Sequence, residues 1–124
     1  MVKMIEITLK QPEDFLKVKE TLTRMGIANN TQKILYQSCH ILQKQGLYYI
    51  VHFKEMLKMD GRQVIIDSED EVRRDSIAQL LENWGLLDIK SADETMYEME
   101  NNFRVISFKQ KEEWTLKSKY TIGN

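Results

Sequence analysis

The segment from Pro12 to Gly26 constrains the fold most, because it specifies a helix with one apolar side. Pro12 suits the first position of a helix, and the acidic Glu13 and Asp14 favour its positive end. Gly26 stands where a left-handed C-terminal cap is expected. The apolar residues share one stripe, which consists of Phe15, Val18, Leu22 and Met25. The sequence therefore predicts a helix over residues 12–25 that packs on a core.

A polar stripe runs beside the apolar one on the same predicted helix. Lys17, Thr21 and Arg24 follow one another at helical spacing. They place two cations and a hydroxyl at the rim of the packed face, where a groove can run. An ordinary solvated flank would have the same pattern.

The other segments predict strands and one more helix. Residues 4–10 alternate as a half-buried strand, and the Met-Val-Lys ahead of them is predicted to be a dispensable extension, residues 1–3. A second helix begins at a capping box of Ser68 and Glu71 and runs to Trp84, with Ile77, Leu80, Leu81 and Trp84 as its buried stripe. Residues 90–102 have no firm hydrophobic period.

We expect one domain over residues 1–124. Its fold is predicted to be α/β, of the α+β type, with two main helices packed with antiparallel β-hairpins and sheets.

Residues 34–43 and 47–54 predict a β-hairpin about a three-residue loop, Lys44-Gln45-Gly46. With that loop, His40 lies directly across from His52 on the face away from the core. Two adjacent imidazoles can act as general acid and base in RNA cleavage. An endoribonuclease is therefore one alternative function, although exposed polar surface explains the pair as well.

Aromatic residues and cations alternate between Phe103 and Tyr120. In a strand, Arg104, Ile106 and Phe108 share one face, so that a ring can stack on a base while a cation meets a phosphate. We expect the Phe108 ring to be exposed. A sheet edge with lysines at its ends would show the same alternation.

The net charge of −1 conceals an uneven distribution. Residues 1–62 contain ten Lys and Arg against six Asp and Glu, and residues 103–124 contain five against two. Residues 63–102 contain three against eleven. Two basic ends thus flank an acidic middle section. The basic ends permit nucleic-acid binding, and the acidic section leaves open a protein–protein adaptor with an acidic face as an alternative function.

Several classes of protein are not indicated. The single cysteine, Cys39, cannot form an internal disulfide, and no cluster of ligands has zinc spacing. The sequence has no apolar run long enough for a signal peptide or a membrane span, so a soluble protein in the cytoplasm is expected.

Long segments of the chain resemble one known family. They include PEDFLKVKETLTRMGIANN, LYQSCHILQKQGLYYIVHFKEMLKMDGRQV, DEVRRDSIAQLLENWGL, NNFRVISFKQKEEW and KYTIGN. From Met4 onward the chain resembles the RegA family, the translational repressors of T-even bacteriophages. The resemblance implies a non-enzymatic protein without cofactor or metal, which binds single-stranded A/U-rich RNA at the initiation region of early phage mRNAs, including its own, and excludes the ribosome. It also implies action in the bacterial host cytoplasm, no small-molecule substrate, and self-association as a possible homodimer.

The resemblance also implies RNA-binding residues. The positions that match the family are Lys17 and Thr21 on the first helix, Arg73, Phe108, and two lysines, Lys10 and Lys44. Arg24 and Arg104 join this set from the patterns described above. An RNA-binding repressor is the function we expect, with the ribonuclease and the adaptor as alternatives.

Overall fold

A computed structural model describes residues 1–26, 39–53, 55–67, 70–96 and 104–123. The described residues form two helices and eight strands. In chain order these are β1 (Val2–Leu9), α1 (Asp14–Arg24), β2 (Cys39–Lys44), β3 (Leu47–Phe53), β4 (Leu57–Asp60), β5 (Gln63–Ile66), α2 (Glu71–Asn83), β6 (Leu87–Met96), β7 (Arg104–Gln110) and β8 (Trp114–Ile122). The expected α+β class is confirmed.

The chain divides into two compact units. The first contains Met1–Glu55 and Trp114–Asn124, and the second contains Met56–Glu113. The chain thus leaves the first unit after β3 and returns to it in β8. A single domain over the whole chain stays a prediction.

The first unit is a four-stranded sheet covered on one face by α1. Its strand order is β2-β3-β1-β8, and β1 pairs in parallel with both β3 and β8. The sheet is therefore mixed, whereas the sequence predicted antiparallel pairing. The core between helix and sheet consists of Ile7, Leu9, Phe15, Val18, Leu22, Leu42 and Val51.

The helix α1 confirms most of the predicted stripe. Phe15, Val18 and Leu22 are buried. Met25 is 63% exposed, so its place in the stripe was wrong, because the helix ends at Arg24 and Met25 is the C-cap. Gly26 has the left-handed φ of 78° that the predicted cap requires.

The hairpin of β2 and β3 differs from the prediction by one residue of register. Its loop has two residues, Gln45 and Gly46, with φ angles of 51° and 76°, and positive φ at both positions is typical of a type I′ turn. Cys39 consequently pairs with His52, and His40 pairs with Val51. A shift of one residue moves every side chain to the other face, so Cys39 and Ile41 do not share a face with Val51. The predicted strand residues 34–38 and Lys54 lie outside the described residues.

The second unit is an antiparallel sheet with α2 packed against it. The strand order is β4-β5-β7-β6. Ile77, Leu80 and Leu81 of α2 are buried as predicted, whereas Trp84 is half-buried. On β5 and β7, Val64 and Phe108 are paired and buried.

The first turn of α2 is capped by Asp70, which the sequence analysis did not select. The Asp70 carboxylate accepts hydrogen bonds from the backbone N–H groups of Val72 at 3.0 Å and Arg73 at 3.2 Å. Ser68, the predicted cap, lies outside the described residues.

Two stretches to which the sequence assigned no regular structure contribute to strands. Val2 and Lys3 belong to β1, and Val2 is 3% exposed, so these residues are part of the sheet. Strand β6 extends to Met96, with an irregular register between Asp88 and Asp93. Such an irregularity breaks the alternation of side chains, which explains why no period was visible.

Candidate functional site

Lys17 and Thr21 lie one turn apart on α1 and line an open groove between this helix and β8. The groove has a volume of about 400 Å³. Its lining residues are Ile7, Asp14, Lys17, Val18, Thr21, Leu22, Tyr120, Thr121 and Ile122. Of the predicted polar stripe, Lys17 and Thr21 line this groove and Arg24 does not, and their role in RNA binding stays a prediction.

The floor of this groove is apolar and its rim is polar. Ile7 of β1 and Val18 and Leu22 of α1 are buried core residues that reach its inner side. The Thr21 hydroxyl donates a hydrogen bond to the backbone carbonyl of Lys17 at 2.9 Å, so its oxygen remains able to accept one. The groove can therefore receive a flat apolar group with polar edges.

Tyr120 forms the β8 side of the groove and was not selected from the sequence. It lies opposite Ile7 in the parallel pairing of β1 with β8, and it is 54% exposed. The alternating stretch at residues 103–120 contained the signal, but Phe108 was chosen as its stacking ring.

A second concave surface lies at the C-terminal end of α1. Lys3, Lys44 and Lys117 line it together with Met25, Gln45, Gly46, Leu47 and Tyr49, and its volume is about 440 Å³. The Lys44 ammonium donates to the backbone carbonyl of Met25 at 3.5 Å, where the helix end carries partial negative charge. Lys3 and Lys117 were missed, Lys3 because it was assigned to a dispensable extension.

The remaining candidates of the first unit lie near these surfaces. Lys10 is exposed, and its backbone N–H donates to the carbonyl of Ile122 at 2.9 Å, next to the groove. Arg24 is exposed in the last turn of α1. The first unit thus contains five of the predicted site residues, which are Lys10, Lys17, Thr21, Arg24 and Lys44.

Three predicted residues belong to the second unit. Arg73 is half-buried on α2, and Arg104 is the first residue of β7. Phe108 is 3% exposed, so the expectation of an exposed ring is wrong. The reason is its position in β7, an inner strand of the second sheet, where it lies opposite the fully buried Val64.

The two histidines do not form the predicted pair. His40 is 1% exposed, and its ring centroid lies 4.5 Å from that of Phe15, on the helix-covered face of the sheet. His52, on the adjacent pairing position of β3, points to the opposite face and is fully buried. Two imidazoles separated by a sheet cannot share one substrate, so the geometry assumed for the ribonuclease alternative is wrong.

His52 instead belongs to a buried polar cluster. Its Nε2 lies 3.0 Å from Glu6 Oε2 and 3.4 Å from the Thr8 hydroxyl, and Lys119 Nζ lies 3.6 Å from Glu6 Oε1. Burial acts to raise the pKa of Glu6, but the hydrogen bond and charge of His52, with a contribution from Lys119, outweigh it and lower that pKa below its ordinary value. Glu6 is therefore ionised at neutral pH and is the negatively charged partner of His52 and Lys119 in the first sheet.

The described residues contain neither a reactive thiol nor a metal-binding cluster. Burial raises the pKa of the Cys39 thiol to about 12, so it stays protonated and unreactive near neutrality. No group of three or more His, Cys, Asp or Glu in the described ranges is placed to hold a metal ion. Neither described helix is long and apolar enough to cross a membrane.

Fold and groove together define a small α+β protein with a cation-flanked surface groove. Comparison with known proteins specifies the class further, because the model of the bacteriophage translational regulator family matches residues 4–123. The chain belongs to that family. No solved structure matches it.

Named relatives agree with this assignment. The translation repressor protein of Escherichia phage RB69 is 79% identical over 122 residues, which cover 98% of this chain and all of the relative. The translation repressor proteins of Enterobacteria phages T6 and T4 are each 77% identical over the same coverage.

Proposed function

We propose that this protein represses translation by binding single-stranded A/U-rich RNA at the initiation region of early phage mRNAs, including its own, and thereby excluding the ribosome. Relatives at 77–79% identity are named translation repressor proteins. The single observation that carries the proposal is the groove between α1 and β8, which combines a cation, a hydroxyl and an exposed ring.

The chemistry of this groove suits an unpaired strand. Single-stranded RNA presents flat bases that stack on aromatic side chains and phosphates that attract cations. Lys17 at the rim supplies a cation, and Tyr120 supplies a ring. A duplex hides its bases, so it would leave the apolar floor unused.

The lysines at the C-terminal end of α1 are proposed to extend the contact with the backbone. Lys3, Lys44 and Lys117 line one concave surface, with Arg24 in the last turn of the same helix. Each cation that neutralises a phosphate contributes affinity that is lost as salt is added. The net charge of −1 therefore does not oppose RNA binding, because these cations act locally.

The second unit adds three residues. Arg104, selected from the alternating strand pattern, and Arg73, selected through the resemblance, are proposed to contact phosphates. Phe108 is retained as a proposed RNA contact through the same resemblance, but its ring is buried, so stacking would require it to leave the core.

A gel-shift with ribosome-binding-site RNAs against scrambled RNAs, at two salt concentrations, tests the proposal. We expect tighter binding of the initiation sequences, weaker binding at the higher salt, and no shortening of the RNA. In a competition assay the protein should also prevent ribosomes from occupying the same RNA. Binding that is indifferent to RNA and salt would instead favour the protein–protein adaptor, and a ladder of shorter fragments would favour a ribonuclease.

A further inference from the structure

We propose that the groove between α1 and β8 is a nucleobase pocket, in which an unpaired base of the bound RNA stacks on Tyr120. This inference rests on the proposed RNA-binding function and adds the position and the stacking partner of one base. It assigns the stacking role to a ring other than Phe108.

The exposure of Tyr120 distinguishes it from the other rings of the protein. Among the residues whose burial is described, it is the one aromatic side chain classed as exposed, at 54%. Phe15, Phe108 and Trp114 are exposed by 3%, 3% and 8%. A base can stack only on a ring whose face is open to solvent, so Tyr120 meets the requirement without any rearrangement of the core.

The position of Tyr120 is fixed by the sheet beneath it. It belongs to β8, an edge strand of the first sheet, and pairs with Ile7 of the neighbouring strand β1. Ile7 is buried among the core residues. Pairing in the sheet fixes the backbone of Tyr120 and the face from which its side chain projects, so that only the side-chain torsions of the ring remain to be ordered when RNA binds.

The groove provides the apolar contact that one face of a base needs. Its inner side consists of buried aliphatic residues, and Ile122 continues it along β8 with 36% exposure. At about 400 Å³ the groove falls in the size range of small-ligand pockets.

Polar groups surround this apolar floor at positions suited to the rest of a nucleotide. The Lys17 ammonium on the rim suits the negative phosphate beside the stacked base. The oxygens of Thr21 and Asp14 can accept hydrogen bonds from N–H groups on the base edge. A cation at the rim with acceptors nearby matches a nucleotide better than it matches an apolar protein segment.

The test compares Tyr120→Ala with Tyr120→Phe in fluorescence-anisotropy titrations of a labelled single-stranded initiation-region RNA. Tyr120→Ala should weaken binding by about 5- to 150-fold, the range expected for one stacked base. Tyr120→Phe retains the ring and should bind like the unaltered protein. Leu116→Ala is the matched control, because Leu116 is 40% exposed on the same strand and does not line the groove.

A series of RNAs with single abasic sites makes the test specific for stacking. At the position whose base occupies the pocket, the unaltered protein should lose affinity, and Tyr120→Ala should cause no further loss. Equal affinity of Tyr120→Ala and the unaltered protein would overturn the pocket, as would equal losses in Tyr120→Ala and Tyr120→Phe. If the unaltered protein bound no RNA at all, the proposed function itself would fail.

Discussion

Phe108 and Tyr120 are aromatic residues of consecutive strands with opposite surroundings. Phe108 lies on β7 and is 3% exposed, whereas Tyr120 lies on β8 and is 54% exposed. A buried ring contributes mainly to stability, and an exposed ring contributes mainly to binding. The two residues should therefore respond differently to the same truncation.

Phe108→Ala should lower the free energy of unfolding by about 3–5 kcal/mol, because it leaves a cavity in the core of the second unit. Tyr120→Ala should change it by no more than about 0.5 kcal/mol, since the ring is largely in solvent. Urea denaturation of both variants measures the difference. A Phe108→Ala protein as stable as the unaltered one would show that the ring is not a core residue.

Glu6 should make stability depend on pH. Its pKa is lowered in the folded protein from an ordinary value of 4.5. A carboxylate of this kind stabilises the fold above its unfolded pKa, and this contribution is lost as the pH falls through the lower, folded pKa. The stability of the unaltered protein should thus decline below pH 4.5 more steeply than that of Glu6→Gln.

Denaturation of the two proteins at a series of pH values tests this sign. The other carboxyl groups are common to both, so their contributions cancel in the difference. Parallel curves from neutral pH to well below 4.5 would contradict the prediction that His52 and Lys119 hold Glu6 in its charged form.

At the scale of elements, local patterns predicted most of the fold. The apolar stripes of the two helices follow directly from burial on one face. Alternation located β1, but the prediction of a half-buried strand was wrong for its second half, because Glu6 and Thr8 on the other face are buried as well.

Other errors arose where one residue decides the geometry, as in the two-residue loop of Gln45 and Gly46, which moved His40 and His52 to opposite faces. Alternation alone also cannot tell which face of a strand is covered by the rest of the protein. For this reason Phe108 was predicted to be exposed, although it is buried.

The same loop yields a stability prediction. Gln45 has a φ of 51°, a left-handed conformation that glycine and asparagine adopt more readily than glutamine. Gln45→Gly and Gln45→Asn should each raise the free energy of unfolding by up to about 1 kcal/mol.

Gly46→Ala is the opposite control, measured by the same thermal or urea unfolding. Its φ is 76°, and a Cβ at this position would meet no atom within 4 Å, so any loss reflects backbone strain alone. Gly46→Ala should destabilise the protein. Loss of stability in both Gln45 variants would contradict the type I′ turn.

At the scale of the whole molecule, the sequence predicted part of the candidate site. Lys17 and Thr21 were found because helical spacing places them beside an apolar stripe. Tyr120, Lys3 and Lys117 were missed because the groove and the lysine surface depend on the parallel pairing of β1 with β8, which joins the two ends of the described chain. No local pattern reveals a contact between segments more than 100 residues apart.

This topology also explains why a net charge of −1 is compatible with the proposed RNA binding. The pairing of β1 with β8 brings lysines from both basic ends of the sequence into the first unit. Most of the acidic middle section forms the second unit. RNA binding should thus depend on a few cations of the first unit and not on overall charge.

The salt dependence of RNA affinity tests this account most directly, measured for the unaltered protein, Lys17→Ala and Lys19→Ala. The two variants remove the same charge from the same helix, but only Lys17 lines the groove. We predict that Lys17→Ala weakens binding several-fold and makes the slope of log K against log salt shallower by about 0.7, the value for one phosphate contact on a single strand. Lys19→Ala should leave both nearly unchanged. Unaltered affinity and slope in Lys17→Ala would show that RNA does not bind in this groove.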